Sequence, residues 1–226
     1  MSNELGVLRG GAKVTRRSGF PATFVKMSID HALFEWINQG LANPFFDYVL
    51  PVYRDKLTWV PLYVVLAFYL FKQYGWRSTM YLLICIAAVI TIADQVAAEL
   101  IKPAVGRLRP CAEPAVADTV RSLVGCGGKY SFPSNHATNH FALATVLALT
   151  FLRGRRGLIW VAYLWAASIA LAQVYVGKHW PGDILAGALF GTLVASLGVW
   201  AYRRLARQHA IPPPAPKEFP LSWRNR

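Results

Sequence analysis

Two histidines border apolar segments in positions from which they could act on a phosphate. His136 starts one such segment, and His179 precedes another, with Asp183 four residues further on. A carboxylate one helical turn from an imidazole can accept a hydrogen bond from one ring nitrogen and leave the other free to attack phosphorus. We therefore predict His179 as a nucleophile oriented by Asp183. We predict His136 as the general acid for the leaving oxygen and the base for water.

Groups that bind anions surround these histidines. Ser134 is placed to cap the helix that begins near Ala137, and the free N–H groups of its first turn would face a bound phosphate. Lys102 and Arg109 can reach the same interface, the arginine as a two-pronged donor and the lysine as a point charge. For each basic residue the alternative is contact with lipid headgroups. Asp183 could also cap its own helix, which is compatible with a catalytic role.

The composition places these groups in a membrane protein. The chain has 226 residues, of which 55% are hydrophobic, and its mean hydropathy is +0.34, too apolar for a soluble domain of this length. A sequence of this kind predicts an all-α, polytopic membrane helix bundle. Five apolar segments are long enough, or nearly so, to cross a bilayer: 57–71, 79–101, 137–152, 158–176 and 184–202.

The two ends of the chain differ from this central part. Residues 1–28 contain no apolar run of signal-peptide length, so we predict no cleaved signal there. Residues 30–50 are amphipathic but include several acidic and amide side chains, which favours an interfacial helix, with a sixth crossing as the alternative. We therefore divide the chain into an N-terminal segment (1–28), a membrane domain (29–205) and a proline-rich tail (206–226).

The basic residues predict the orientation of the bundle. Those at 72–77, 153–156 and 203–207 fall on one side, which by the positive-inside rule is the cytoplasm. The loop 102–135 and the turn 177–182 then lie together on the extracytoplasmic face. This second face is also basic, against the simple charge bias, and a bound phosphate is a local reason for it.

The three cysteines are too few for a disulfide scaffold, but two of them lie close together in sequence. Cys111 and Cys126 share the loop that the predicted topology places in an oxidising compartment, whereas Cys85 lies within a span. We therefore predict a disulfide between Cys111 and Cys126, with two free thiols as the alternative.

Three motifs, in their order along the chain, resemble the signature of the type 2 phosphatidic acid phosphatase (PAP2) superfamily. They are Lys102 with Arg109-Pro110, then Pro133-Ser134-Asn135-His136, then His179 with Asp183. The resemblance covers about residues 90–190. It implies a phosphatase that forms a phosphohistidine intermediate and uses no metal or other cofactor.

The expected substrate is a phosphate or diphosphate of a lipid at the outer leaflet of a bacterial cytoplasmic membrane. Undecaprenyl diphosphate is the first candidate, and phosphatidylglycerophosphate, phosphatidic acid and the lipid A phosphates are the alternatives. The net charge of +13 is accordingly assigned to the membrane and an acidic substrate, and no nucleic-acid partner is expected. A membrane protein that binds anionic headgroups with little or no turnover is the competing class of function.

Two positions depart from the family's pattern. Asn135 stands where the second motif commonly has Gly, and Asn also accepts unusual backbone angles. The third motif usually begins with Ser-Arg six residues before its histidine, where this chain has Ala172 and Gln173. Loss of a charge-assisted donor costs about 1.5–3 kcal/mol. We therefore expect Arg107 or Lys178 to substitute for the missing arginine, with Asn135 and Gln173 as further phosphate-binding candidates.

Ionisable side chains within the apolar segments need partners, because they are expensive in a membrane. Glu99 lies three residues before Lys102, and we predict an ion pair that orients the lysine. Helix packing through hydrogen bonds is the alternative for Asp94. His136 and His140 have the spacing of two metal ligands but no evident third one, so His140 is predicted to be a buried polar residue of the bundle.

Overall fold

The computed structural model describes residues 29–208, and in this range the chain forms helices and loops without a β-strand. The prediction of an all-α fold is confirmed. Most of the predicted N-terminal segment and tail lie outside the described residues. The helices are α1 (Ile29–Glu35), α2 (Pro44–Tyr53), α3 (Val60–Gln95), α4 (Lys102–Val105), α5 (Asn135–Leu149), α6 (Arg156–Tyr175) and α7 (Pro181–Gln208).

Helix α3 contains a reversal that separates the first two predicted spans. Gly75 has φ 75° and ψ 172°, a conformation that is not helical and that glycine adopts most readily. Before it, Tyr63 lies near the start of α5, and Tyr74 reaches the backbone just beyond the end of α5. After it, Asp94 is again hydrogen-bonded at the start of α5. The two halves of α3 therefore run antiparallel along α5.

Within residues 29–208, three segments are long and apolar enough to cross a membrane: Lys56–Val105, Arg156–Tyr175 and Pro181–Ala206. The first of them includes both halves of α3. Helix α5 has only 15 residues, and ten of these are buried, so the predicted span 137–152 is a short central helix surrounded by the others. The protein is thus a multi-pass membrane protein, and the count of five or six crossings stays a prediction.

The region 30–50 does not form the single amphipathic helix that was predicted. A π-helical segment, Trp36–Gly40, and a short non-helical stretch separate α1 from α2. Phe34 packs against Trp180, and the buried amide of Asn38 donates hydrogen bonds to the carbonyl oxygens of Arg121 and Tyr175. The polar residues in this region therefore fix it to the loops of the protein. Helix α2 exposes four large apolar side chains: Phe45, Phe46, Tyr48 and Val52.

Helices α5 and α7 approach closely because α7 presents two glycines to α5. A Cβ atom at Gly191 would lie 2.1 Å from Thr138 O, and one at Gly187 would lie 2.6 Å from Ser134 O. Small residues four apart allow this close contact between helices in membrane proteins. The contact holds the start of α5, which carries His136, beside the start of α7.

Candidate active site

The loop between α4 and α5 and the turn between α6 and α7 lie together over the starts of α5 and α7. The structure contains the predicted disulfide between Cys111 and Cys126 in this loop, with a Cα–Cα distance of 5.9 Å, while Cys85 is buried and free. Trp180 in the turn donates a hydrogen bond to Leu108 O at 3.0 Å. The first and third motifs are thereby joined.

A cavity of about 420 Å³ lies beneath these loops and is strongly cationic. Five of its twelve lining residues are lysine or arginine, and none is aspartate or glutamate. The chemistry of such a wall favours an anion, since charged donors bind phosphate oxygens strongly. Most of the predicted site residues line this cavity: Lys102, Arg109, Asn135, His136, Gln173, Lys178 and His179.

His179 is buried at the cavity wall between a carboxylate and a guanidinium. Its Nδ1 lies 3.5 Å from Asp183 Oδ2, at the outer limit of a hydrogen bond, and its Nε2 lies 3.3 Å from Arg109 Nη1. A guanidinium can only donate, so we assign Nε2 as an acceptor and place the ring proton on Nδ1, facing Asp183. Burial lowers the pKa of His179 to about 4, so the imidazole is neutral at pH 7. The arrangement can present an unprotonated nitrogen to a bound phosphate.

Asp183 is fully buried at the start of α7, and donors surround its carboxylate. Oδ1 accepts from Arg107 Nη1 at 2.9 Å, and Oδ2 accepts from Trp180 N at 2.9 Å. Arg107 also pairs with Asp30 of α1, and that carboxylate accepts from Gly182 N at 2.7 Å. Because a buried carboxylate is costly without partners, this network of donors stabilises Asp183 beside His179.

The prediction that Arg107 binds phosphate is not supported by its position. Arg107 does not line the cavity. Its guanidinium forms ion pairs with Asp30 and Asp183 and lies 5.2 Å from the Trp180 ring. The sequence could not show this, because Asp30 is far away along the chain. Lys178, the other predicted substitute, does line the cavity, and its Nζ donates to Cys126 O at 3.3 Å.

Ser134 differs from its predicted role at the start of α5. It is the N-cap residue, but its buried hydroxyl makes no capping hydrogen bond and does not line the cavity. Its backbone N–H donates to Asp183 O at 3.0 Å, which joins the second motif to the third. With no side chain capping α5, the first turn of this helix keeps N–H groups that an anion can use.

The ion pair predicted between Glu99 and Lys102 is not formed. Lys102 Nζ instead donates to Ser131 O at 3.1 Å and to Pro133 O, while Glu99 is exposed. The segment Val96–Ile101 is π-helical, and its wider turn changes the angular offset that a regular α-helix would give these two side chains. Carbonyl groups beside the second motif therefore orient Lys102.

Two polar residues near the cavity have structural partners. Asp94 Oδ1 accepts hydrogen bonds from the amides of Asn135 at 2.9 Å and Asn139 at 2.7 Å, which is the helix packing considered as its alternative. His140 is buried, as predicted, and its Nδ1 lies 2.7 Å from His136 O. Within residues 29–208, no three His, Cys, Asp or Glu side chains are grouped so that they could hold a metal ion.

Comparison with known proteins identifies the family. The sequence profile of the PAP2 superfamily matches residues 78–207. The chain belongs to the PAP2 superfamily. It is 37% identical over 182 residues to a lipid A 4′-phosphatase of Bacteroides thetaiotaomicron, a match covering 80% of this chain and 78% of that protein. It is 31% identical over 84 residues to the undecaprenyl-diphosphatase BcrC of Bacillus subtilis, covering 37% and 42% of the two chains.

The fold is also found among solved structures. The crystal structure of Aquifex aeolicus LpxE covers 76% of this chain and 96% of its own, with a TM-score of 0.59 and 22% identity, a likeness that concerns the fold alone. The family match and the phosphatase relatives identify this PAP2 protein as a membrane lipid phosphatase, which is a hydrolase of phosphoric monoesters. These relatives therefore favour a phosphatase over a membrane protein that binds anionic headgroups with little or no turnover.

Arg54 is a cavity residue of this PAP2 protein that the sequence analysis missed. It lies at the C-terminal end of α2, and its Nε donates to Gln173 Oε1 at 3.0 Å. It is outside all three motifs and outside the part of the chain that matches the family. The packing of α2 on α6, through a 2.6 Å hydrogen bond between Tyr53 and Ser168, brings it to the site. No sequence signal beyond its basic character pointed to it.

A second cavity, of about 470 Å³, adjoins the cationic one. It lies between the two halves of α3 and α5, and Asn135 and His136 line both cavities. Most of the remaining lining is apolar, including Leu66, Leu70, Ile86 and Ile90. A polar and an apolar compartment thus meet at the first turn of α5.

Substitution of the two loop arginines should separate phosphate binding from orientation of the histidine. Arg109→Gln should weaken the binding of orthovanadate, a phosphate analogue, about 10- to 150-fold, because a charge-assisted donor contributes about 1.5–3 kcal/mol. Arg107→Gln should leave this Kd close to the wild-type value but lower kcat, because Asp183 loses its counter-charge. Isothermal titration calorimetry in detergent and phosphate release give the two readouts.

The matched control is Arg153→Gln, which removes an exposed charge in the turn between α5 and α6. This variant should change neither the Kd for orthovanadate nor kcat. If Arg107→Gln weakened orthovanadate binding as much as Arg109→Gln, the conclusion that Arg107 holds Asp30 and Asp183 and does not bind the anion would be wrong.

Proposed function

We propose that this chain hydrolyses a phosphate ester of lipid A, with His179 as the nucleophile. The observation that carries the proposal is the cationic cavity with two histidines in its wall, joined directly to an apolar cavity. The first compartment has the chemistry for a phosphate, and the second has the chemistry for the adjoining lipid. The 37% identity with a lipid A 4′-phosphatase supports the choice of headgroup.

The first chemical step transfers the phosphoryl group to the enzyme. Phosphate oxygens take up the donors of Arg109 and Lys102, and Arg109 turns from His179 Nε2 towards the anion. The lone pair on Nε2 then forms a bond to phosphorus as the bond between phosphorus and the lipid oxygen breaks. Asp183 stabilises the positive charge that develops on the ring, and His136 gives a proton to the leaving oxygen.

The second step returns the enzyme to its starting state. His136, now neutral, accepts a proton from a water molecule as the water oxygen attacks phosphorus. The bond between phosphorus and His179 Nε2 breaks, and inorganic phosphate leaves. Burial, and after it the neighbouring cationic groups, lowers the pKa of His136 to about 3 in the empty site. The negative charge of a bound phosphate acts in the opposite direction and favours the protonated form that the first step requires.

The apolar cavity has a place in this proposal because a lipid phosphate must present its ester bond to His136 while its acyl chains stay out of water. His136 lies at the boundary of both compartments. A phosphate held by the cationic wall therefore leaves its lipid portion next to the groove between the halves of α3. Burial of the chains in that groove would hold the leaving oxygen near His136.

Undecaprenyl diphosphate, the first candidate from the sequence, is the second candidate here. Its support is the relative from Bacillus subtilis, whose match covers 37% of this chain, against 80% for the lipid A phosphatase. A diphosphate would also fit the chemistry of a wall with five cations. Next to the phosphate that is removed, lipid A has a sugar and undecaprenyl diphosphate has a second phosphate.

A panel of purified lipids tests the substrate proposal. In detergent, the protein should release phosphate from lipid A with a kcat/KM at least about tenfold higher than from undecaprenyl diphosphate or phosphatidylglycerophosphate, a discrimination of about 1.4 kcal/mol. His179→Ala, purified in parallel, should release none and so controls for contaminating phosphatases. Lipid A that carries only a 1-phosphate or only a 4′-phosphate distinguishes the position attacked. Faster hydrolysis of undecaprenyl diphosphate than of lipid A would contradict the proposal that lipid A is the preferred substrate.

We also propose that the site faces the outside of a bacterial inner membrane. The disulfide in the loop beside the cavity supports this orientation, since disulfides persist in oxidising compartments. The basic turn between α5 and α6, at the opposite end of α5, supports it through the positive-inside rule.

Cysteine labelling with a membrane-impermeant maleimide tests the orientation. The native cysteines should not interfere, because Cys85 is buried and the other two are bridged. Ala115→Cys, in the exposed part of the disulfide loop, should react in intact spheroplasts, and Arg153→Cys only after permeabilisation. Labelling of Arg153→Cys in intact spheroplasts would contradict the proposed orientation.

A further inference from the structure

We propose that Arg54 binds the transferred phosphate and that Gln173 positions it, so that the pair replaces the arginine that the third motif usually carries at position 173. This inference rests on the phosphate site of the proposed function and names a further residue of that site. Neither the family's motifs nor the region that matches the family includes Arg54.

The geometry of the pair leaves the donors of Arg54 available. Only Nε is engaged, in the 3.0 Å hydrogen bond to Gln173 Oε1. Among the described residues, none accepts a hydrogen bond from its two terminal nitrogens, and no carboxylate pairs with it. The side chain lines the cavity together with His136 and His179. Its terminal N–H groups therefore have the two-pronged geometry that suits phosphate oxygens.

The surroundings of Arg54 favour an anion as its missing partner. Its side chain is half-buried, so water compensates its charge poorly, and this burial lowers the pKa of Arg54. Burial, and after it the charges of Arg109 and Arg54, also lowers the pKa of Lys178. Like charges that crowd a half-buried cavity destabilise the empty site, and a bound phosphate relieves this repulsion.

Gln173 has the properties of a positioning residue. It is fully buried in the last turn of α6, and its backbone carbonyl accepts from the N–H groups of Lys178 and His179. Its side chain is neutral and offers an oxygen to Arg54. An arginine at this position would place two guanidinium groups against each other. Glutamine at position 173 can therefore lie beside Arg54. The arginine that the motif usually has at position 173 fits only where position 54 has no arginine.

We therefore expect that the phosphate-binding arginine can be moved from position 54 to position 173. A merely structural role for Arg54 would not allow this exchange. Arg54→Gln should raise the Kd for orthovanadate at least tenfold, and Gln173→Arg alone should not tighten binding. The double variant, Arg54→Gln with Gln173→Arg, restores one guanidinium to the cavity from α6. It should recover the affinity to within about threefold of wild type, a strong coupling in a double-mutant cycle.

Calorimetric titration of the detergent-solubilised full chain with orthovanadate, repeated with inorganic phosphate, measures these values without reference to any lipid. Lys72→Gln, which removes an exposed charge near the reversal at Gly75, is the control and should bind as wild type does. If Arg54→Gln does not fold, Arg54→Lys takes its place. Lysine keeps the charge but lacks the planar fork with which arginine can hold Gln173 through Nε and two phosphate oxygens through its terminal nitrogens, so the Kd of this variant should also rise.

Wild-type affinity in Arg54→Gln or Arg54→Lys would overturn the inference, and so would a double variant that binds no more tightly than Arg54→Gln. Because the ligand is orthovanadate or phosphate, these outcomes do not depend on which lipid is the substrate. If the lipid panel failed while the exchange restored binding, only the proposed substrate would be wrong. Hydrolysis of lipid A by a protein whose Arg54→Gln variant bound orthovanadate normally would leave only this inference wrong.

Discussion

The site is organised around the fully buried carboxylate of Asp183. A charge in this position needs partners, and it obtains them from Arg107 in the long loop and from the backbone of Trp180. Arg107 in turn holds Asp30, so the first described helix is attached to the start of the last one. The orientation of His179 thus depends on contacts contributed by three distant parts of the chain.

The charge of the cavity is the second constraint. Its wall contains five basic residues and no acidic one. Two aspartates in this region have other partners: Asp183 accepts from Arg107, and Asp94 accepts from two asparagines. An empty cavity of this kind is electrostatically unfavourable, and an anion makes it favourable. The close contact between α5 and α7 keeps His136 beside this charge, at the boundary with the apolar cavity.

Much of this could be predicted from sequence because it depends on local patterns. Apolar length predicted the helices, and the spacing of His179 and Asp183 predicted their contact. The predicted ion pair of Glu99 and the predicted cap by the Ser134 hydroxyl are not formed, and Arg107 pairs with two carboxylates outside the cavity lining. Each of these outcomes depends on a partner or a backbone geometry that sequence spacing does not encode. Arg107 meets Asp30 across 77 residues, and a π-helical segment separates Glu99 from Lys102. Arg54 was missed for the same reason, since the packing of α2 on α6 brings it to the cavity.

The central claim is that phosphate passes through a covalent bond to His179, and trapping that bond tests it most directly. The protein would be mixed with a lipid substrate radiolabelled in its phosphate, quenched in alkali and digested for peptide mapping. We expect acid-labile, alkali-stable label on the peptide containing His179 of the wild-type protein and none in His179→Ala. Phosphate release by His179→Ala at the wild-type rate, or label on another residue, would contradict the account.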